Sequence, residues 1–244
     1  MESAACNIAG LDCLRVGTPE QARAQVVLLH GYDMRPEDLE PFSHSLNVPA
    51  LFHFPRGPLE SPSGNRCWWP IDQERRTRQL ESGPRDLCEE SPPGRPAARE
   101  RLCGFLAELR AAAPKLPLLL GGFSQGGMLA CDTVLCARQP VSGLAMLSSS
   151  RIAFGDWRAN RDVLAGLPVL VSHGSRDADL AFSAGEALRD FYRNSGARVT
   201  WQPFDGGHEI PLVVWRALRR FVAELMLKTD LSRAFVALKH PSFG

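Results

Sequence analysis

The chain has 244 residues, of which 44% are hydrophobic and 23% charged, a composition typical of a globular protein with a substantial core. Lysine and arginine total 28 against 27 acidic residues, and this net charge of +1 gives no reason to expect nucleic acid as a partner. No apolar run approaches the roughly 20 residues that cross a bilayer, so no transmembrane segment is expected. Because the N-terminal residues also lack the basic and apolar parts of a secretory signal, we expect a cytoplasmic protein.

Seven cysteines are scattered along the chain. Their odd number and the absence of any Cys-x-x-Cys pair argue against a disulfide framework and against a structural zinc site. Reduced thiols fit the expected cytoplasmic location. We therefore expect no metal and no cofactor.

Strand-like and helix-like runs alternate along most of the chain. Strands or extended runs are predicted at residues 24–30, 50–54, 117–123, 143–148, 168–173 and 197–203. Helices are predicted at residues 36–46, 97–113, 126–138, 180–194 and 211–227. This alternation is typical of an α/β protein with a mainly parallel central sheet and helices on both faces.

One long insertion interrupts this alternation. Residues 55–96 are rich in Pro, Gly, Ser and Arg and are predicted to be irregular, as a functional loop or a disordered segment. We expect a single domain over residues 1–227, followed by a C-terminal tail over residues 228–244 that could be mobile.

The segment Gly122-Phe123-Ser124-Gln125-Gly126 lies between the most apolar predicted strand and the helix after it. A Gly-x-Ser-x-Gly turn in this position is typical of a nucleophile elbow, in which glycines allow a sharp turn and the serine hydroxyl is exposed at the strand end. The simpler alternative is a glycine-rich helix start with Ser124 as N-cap. Ser124 is the candidate nucleophile.

A serine nucleophile needs a base, and the base needs a group that orients it. His208 follows two glycines in a predicted loop after an extended run, so it is the candidate base, whereas His173 ends a strand and is more simply structural. For the acid, Asp177 is preferred over Asp179, which could instead cap the next helix. The order Ser124, Asp177, His208 is that of α/β-hydrolases.

An oxyanion hole needs two backbone donors aimed at one point. The N–H of Gln125, directly after the nucleophile, is the first candidate. The second is the backbone N–H of Tyr32, in the loop after the first predicted strand, and the Tyr32 ring either lines the pocket or lies in a surface turn.

The motifs around these residues resemble one family. Leu-Leu-His-Gly-Tyr, Gly-Gly-Phe-Ser-Gln-Gly-Gly-Met, His-Gly-Ser-Arg-Asp and Gly-Gly-His-Glu-Ile are similar to segments of the phospholipase/carboxylesterase family of α/β-hydrolases, which includes the acyl-protein thioesterases. The resemblance runs from about residue 24 to residue 226. It implies an α/β-hydrolase fold, a triad of Ser124, Asp177 and His208, and oxyanion donors at Tyr32 and Gln125.

Two further features of the insertion have alternative interpretations. Trp68 and Trp69 are candidate substrate-binding residues because acyl pockets are mainly apolar and aromatic, but either could instead anchor the loop to the core. The basic run Arg75, Arg76 and Arg78 is most simply solvated, with contact to an anionic substrate as the alternative.

Together these features predict a carboxylesterase that acts through an acyl-enzyme on a small-molecule ester or thioester, with lysophospholipase activity as a related possibility. A ligand-binding protein on the same fold and an acyltransferase are the alternatives. No nucleic-acid partner is expected, and the oligomeric state is left open, with a homodimer as one alternative.

Overall fold

The fold was analysed in a computed structural model, which describes residues 2–239, with side chains as far as residue 227. Its strands are β1 (Ser3–Ile8), β2 (Leu11–Val16), β3 (Ala24–Leu29), β4 (Ala50–Pro55), β5 (Leu59–Glu60), β6 (Arg66–Cys67), β7 (Leu118–Phe123), β8 (Gly143–Leu147), β9 (Pro168–Gly174) and β10 (Arg198–Phe204). Its α-helices are α1 (Glu40–Leu46), α2 (Gln73–Glu81), α3 (Arg95–Ala112), α4 (Gln125–Cys136), α5 (Phe154–Ala159), α6 (Phe182–Asn194) and α7 (Leu212–Lys239). Short 3-10 helices cover Pro19–Gln21, Pro36–Asp38 and Arg161–Leu164.

Eight strands form one sheet in the order β1-β2-β4-β3-β7-β8-β9-β10. The neighbours from β4 to β10 are parallel, and β1 and β2 add an antiparallel edge. The mainly parallel sheet predicted from the alternation is confirmed. Since parallel strands begin and end together, the loops after β3, β7, β9 and β10 all lie at one edge of the sheet.

The core lies on both faces of this sheet. Strands β3 and β7 are buried at every residue, as their continuous apolar runs require. Helices α3, α4 and α6 pack on one face, where Leu102, Leu129 and Leu188 are almost inaccessible to solvent. Helices α1 and α7 cover the other face through residues such as Leu46 and Trp215.

The insertion at residues 55–96 is more ordered than the sequence predicts. It contains the small β5–β6 pair and the nine-residue helix α2, which begins after Asp72, whose side chain accepts a hydrogen bond from the Arg75 N–H. None of the residues in α2 is buried. A helix without a buried face has no apolar periodicity, which is the signal that sequence reading uses.

The last helix continues past residue 227, where the predicted domain boundary lies. The remainder of the predicted tail, residues 240–244, lies outside the described residues, and the division of the chain stays a prediction. Among the described residues, no helix combines the length and the apolarity that a membrane span requires.

Candidate active site

Ser124 lies at the turn between β7 and α4 in a backbone conformation unusual for a residue with a side chain. Its φ of 51° and ψ of −117° fall in a region that non-glycine residues rarely occupy, and such strain is found at functional turns. The turn is fixed by the Ser124 N–H, which donates to Leu147 O at 2.9 Å, and by the Ser149 hydroxyl, which donates to Ser124 O at 3.0 Å.

The two glycines of the motif are required by the close approach of backbones. A Cβ atom on Gly122 would lie 2.4 Å from the carbonyl carbon of Gly126, and one on Gly126 would lie 2.3 Å from Leu29 O. Contacts this short do not occur in proteins, so the turn cannot form with larger residues. The observed strand–turn–helix has the geometry expected of a nucleophile elbow.

Asp177 and His208, in the loops after β9 and β10, meet at the same edge. Nδ1 of His208 lies 2.7 Å from Oδ2 of Asp177, whose side chain is fully buried, whereas the His208 side chain is partly exposed. The ring of His208 packs against Phe123, the residue before Ser124, with 4.8 Å between ring centroids. Asp177 rather than Asp179 is therefore the partner of His208.

Three further groups hold the Asp177 carboxylate. Its Oδ1 atom accepts hydrogen bonds from the Asp179 and Leu180 amides at 2.8 and 2.9 Å, and Nε2 of His173 lies 3.4 Å from Oδ2. Burial by itself raises the pKa of Asp177, but the hydrogen bond and charge of His208 and the two amides outweigh it, so the pKa lies below its usual value. Asp177 is thus an ionised acceptor at neutral pH.

The two predicted oxyanion donors flank the turn. Gln125 is the first residue of α4, where an N–H has no partner within the helix, and Tyr32 follows β3 by three residues. Neither amide donates to another residue in the described part of the chain. Both residues line the same cleft as Ser124 and His208. The phenol oxygen of Tyr32 accepts a hydrogen bond from Gln73 at 2.8 Å.

The side chain of Gln125 has a role that the sequence did not indicate. Its Oε1 atom accepts from the Trp68 N–H and its Nε2 atom donates to Trp69 O, both at 2.9 Å. The nucleophile turn and the tryptophan segment are thereby joined directly. This contact needs residues 57 positions apart, and no local pattern reveals it.

Trp68 and Trp69 have different environments. The ring of Trp68 stacks on His30 at 5.2 Å and its indole N–H donates to His30 O, so Trp68 lies beneath the cleft and anchors the loop. The Trp68 ring is buried and absent from the cleft wall, which favours the alternative of a loop anchor, and a substrate contact at Trp68 stays a prediction. Trp69 does line the cleft.

His30 is held as a neutral ring. Its Nε2 atom accepts from the Gly57 N–H at 2.9 Å, and Nδ1 lies 2.7 Å from Gly31 O. Burial lowers the pKa of His30 to about 4, although the hydrogen bond to Gly31 acts in the opposite direction.

A cleft of about 870 Å³ opens above Ser124. Its wall near the serine is mainly apolar and includes Met34, Trp69, Ile71, Phe123, Met128, Ile152 and Leu180. Its volume lies in the range of small-molecule binding sites. The insertion supplies much of the wall, including one side of α2, so this segment is part of the site.

The arginines of the basic run differ in their environments. Arg75 and Arg76 lie on α2 and line the cleft, where Arg75 pairs with Glu90 at 2.8 Å and Arg76 pairs with Asp179 at 3.0 Å. Asp179 also pairs with Arg85 at 2.5 Å and does not cap α6, whose N-cap is Ala181. The interpretation of Asp179 as a helix cap is therefore corrected, because Asp179 pairs with arginines about 100 positions away. Arg75 and Arg78 are exposed, as the solvated interpretation predicts, whereas Arg76 is partly buried in its pair with Asp179.

Comparison with solved structures identifies the class of fold. The crystal structure of esterase PE8 superposes with a TM-score of 0.71 at 24% identity, over 92% of this chain and 100% of that chain. With the sheet order and the serine turn, this likeness defines the α/β-hydrolase fold, as predicted.

Residues 106–226 match the family model described as Phospholipase/Carboxylesterase. An acyl-protein thioesterase 1 of Neurospora crassa is 26% identical over 125 residues, which are 50% of this chain and 51% of that protein. A probable carboxylesterase SOBER1-like of Arabidopsis thaliana is 34% identical over 92 residues, 36% of this chain and 35% of that protein. The alignments thus span about half, or less, of these relatives' length. The chain is related to the phospholipase/carboxylesterase family, and the resemblance predicted from its motifs is confirmed.

Proposed function

We propose that the protein is a serine carboxylic-ester hydrolase in which Ser124, His208 and Asp177 form the catalytic triad. The observation that carries the proposal is the 2.7 Å hydrogen bond between His208 and the buried Asp177 carboxylate, in the cleft that holds the strained Ser124. The family supports the same chemistry, since relatives carry the names of a thioesterase and a carboxylesterase.

In this mechanism the Ser124 hydroxyl attacks the carbonyl carbon of the substrate while Nε2 of His208 takes its proton. Asp177 holds Nδ1–H of His208, so that Nε2 is the basic nitrogen, and it stabilises the imidazolium that forms. His208 then returns the proton to the leaving oxygen or sulfur, and an acyl-enzyme on Ser124 remains.

The tetrahedral oxyanion would be bound by the backbone N–H groups of Gln125 and Tyr32. Each such donor contributes about 3–4 kcal/mol to transition-state stabilisation in enzymes where one was removed. Water, deprotonated by His208, then attacks the acyl group. As the second tetrahedral intermediate collapses, the bond between the acyl carbon and Oγ of Ser124 breaks and His208 returns the proton to Oγ, which frees the acid and regenerates the enzyme. The reaction needs no metal or redox cofactor, because the triad supplies the nucleophile and the base and the two amides stabilise the oxyanion.

The substrate class is an ester or thioester with a small or medium acyl group. A cleft of about 870 Å³ with a largely apolar wall near Ser124 accommodates such a group. Trp69 is proposed as one wall of the acyl site, since it lines the cleft and its backbone oxygen is held by the side chain of Gln125, the residue after Ser124.

The test is hydrolysis of a 4-nitrophenyl ester series of increasing acyl length, with matched oxoesters and thioesters, by the wild-type protein and by Ser124→Ala. Ser45→Ala, an exposed serine on α1, is the matched control. We expect Ser124→Ala to lose nearly all activity and Ser45→Ala to keep it. A fluorophosphonate probe should add to Ser124 alone, as read by peptide mass mapping.

Equal turnover by the wild type and Ser124→Ala, or no turnover together with no labelling of Ser124, would contradict the hydrolase and favour a ligand-binding protein. Transfer of the acyl group to added alcohol in preference to water would indicate an acyltransferase. The cytoplasmic location and a homodimer stay predictions, which fractionation and light scattering test.

A further inference from the structure

A second polar group of side chains lies in the same cleft as Ser124. We call it the arginine–aspartate cluster; it consists of Arg76 on α2, Arg85 in the segment after α2, and Asp179, which follows the proposed acid by two residues. Nη2 of Arg76 lies 3.0 Å from Oδ2 of Asp179, and Nη2 of Arg85 lies 2.5 Å from Oδ1. All three residues line the cleft.

The charges of this cluster do not balance. Two guanidinium groups share one carboxylate, so one positive charge remains. Of the other carboxylates in the cleft, Glu90 pairs with Arg75. Asp72, which caps α2, and Asp33, which accepts hydrogen bonds from the Ser61 and Ser63 hydroxyls, keep their negative charges, so the positive excess is local to the cluster. The excess of one charge matches a singly charged oxyanion, and guanidinium groups bind carboxylates through paired N–H donors.

Arg85 also has a donor without a partner. Its side chain is only 9% exposed, and its Nε–H is buried with no hydrogen-bond partner among the described residues. A buried donor of this kind costs free energy unless a ligand or water accepts its hydrogen bond. Arg85 lines the cleft, so a rotation of its guanidinium group would bring this N–H to a ligand there.

The backbone fixes the cluster next to the proposed triad. The Arg85 N–H donates to Asp179 O, the Ala181 N–H donates to Arg85 O, and the Asp179 N–H donates to Oδ1 of Asp177. These bonds do not depend on the arginine side chains. Substitutions of the side chains can therefore change the charge of the cluster while the loop of Asp177 stays in place.

We propose that the arginine–aspartate cluster binds a carboxylate carried by the ester substrate, so that the enzyme prefers monoesters of dicarboxylic acids or esters of hydroxy acids over neutral esters of equal length. This inference rests on the proposed hydrolase function and names its substrate class. Arg76 and Arg85 donate to the carboxylate, and Asp179 holds the two guanidinium groups in position and neutralises half of their charge.

The test compares kcat/KM for two pairs of esters, after subtraction of the uncatalysed rate. In the first pair, mono-4-nitrophenyl adipate carries a carboxylate on its acyl chain and 4-nitrophenyl hexanoate is the neutral ester of equal length. In the second pair, 4-acetoxybenzoate carries the carboxylate on its alcohol part and its methyl ester is the neutral counterpart. For at least one pair, the wild type should favour the anionic ester by about tenfold, the effect of a hydrogen bond to a charged group.

The variants form a charge series. Each of the single variants Arg76→Gln and Arg85→Gln leaves no net charge in the cluster and should remove the preference for the anionic ester. Asp179→Asn leaves two positive charges and should increase this preference. Arg78→Gln removes a charge from the same helix outside the cleft of Ser124 and should leave the preference unchanged. If all variants keep the wild-type ratio for both pairs, or if the wild type has no preference, the cluster only ties α2 to the acid loop and the proposal is wrong.

A measurement that needs no turnover separates this proposal from the hydrolase function. Ser124→Ala protein is titrated with monomethyl adipate and with methyl hexanoate by calorimetry. Tighter binding of the anionic ester that is lost in Ser124→Ala/Arg76→Gln supports the carboxylate site even if no ester is hydrolysed. Equal binding of both esters overturns it even if the hydrolase function holds.

Discussion

His173 lies with Nε2 at 3.4 Å from Oδ2 of Asp177, the same oxygen that contacts His208, and at 3.0 Å from Leu180 O. Both side chains are fully buried. Burial lowers the pKa of His173, so the ring is neutral and its one N–H is available to Leu180 O and the carboxylate. His173 is thus a positioning residue for the proposed acid, although it does not face the cleft.

We expect His173→Phe to lower kcat by about tenfold, because it leaves Leu180 O without a donor and frees the loop that carries Asp177. The unpaired carbonyl should also reduce the free energy of unfolding by about 1–3 kcal/mol. His173→Gln keeps an amide donor and should restore most of both quantities. Steady-state kinetics and urea unfolding provide the measurements, and equal kcat values for Phe and Gln at this position would exclude the positioning role.

Trp68 and Trp69 should respond differently to the same substitution. Trp68→Phe keeps the contact with His30 but removes the indole N–H from His30 O, and we expect a loss of about 1–3 kcal/mol in stability with an unchanged preference for acyl length.

Trp69→Phe should instead shift the best acyl chain to a longer one, because a smaller ring enlarges the cleft that Trp69 lines. Thermal unfolding and the ester series measure the two effects. The assignment of the two residues fails if Trp68→Phe changes the chain-length optimum and Trp69→Phe does not.

Stability should fall as the pH is lowered from 7 toward 4. Burial lowers the pKa of both His30 and His53 to about 4, against about 6.5 in the unfolded chain. Between pH 4 and pH 6.5 the unfolded state binds more protons than the folded state. The free energy of unfolding therefore increases with pH in this range and decreases as the solution is acidified. Each histidine contributes on the order of 3 kcal/mol of loss by pH 4.

His53→Leu isolates one of these contributions. Neither ring nitrogen of His53 has a hydrogen-bond partner in the described part of the chain, so the substitution removes no contact of this kind. We expect equal or higher stability at pH 7 and a smaller loss at pH 5, as measured by urea unfolding across the pH range. If the free energy of unfolding of His53→Leu depends on pH as that of the wild type does, protonation of His53 does not contribute to the acid destabilisation.

Asp132 should be among the most sensitive positions outside the cleft. Its fully buried carboxylate accepts hydrogen bonds from Arg95 at 2.6 Å, Arg99 at 2.7 Å and the indole N–H of Trp157 at 2.9 Å. We expect Asp132→Ala to reduce the free energy of unfolding by about 3–5 kcal/mol, since among the described residues the buried Arg95 charge then keeps only Asp156 as an acidic partner.

Asp162→Ala is the matched control, because its ion pair with Arg138 is exposed and exposed pairs contribute little. Chemical denaturation of both variants decides the point. Similar losses for the two would mean that burial does not determine the strength of the Asp132 network.

Features that depend on neighbouring residues were predictable from the sequence alone. The apolar run of β7 and the glycines on either side of Ser124 specify the serine turn locally, because a Cβ at either glycine would collide with backbone. Alternating strand and helix patterns also predicted the parallel sheet, and with it the common edge at which Ser124, Asp177 and His208 meet. The choice of Asp177 over Asp179 agrees with the hydrogen bond to His208.

The pairing of side chains from distant segments is visible only in the folded chain. The pairing of Arg76 with Asp179, and the joining of Gln125 to Trp68 and Trp69, connect residues about 100 and about 57 positions apart. Polar contacts between distant segments carry no periodicity, so the pattern of a single chain cannot indicate them. Helix α2 has no buried face and is held by polar contacts, so the sequence pattern does not predict it and the helix is recognised only in the three-dimensional structure.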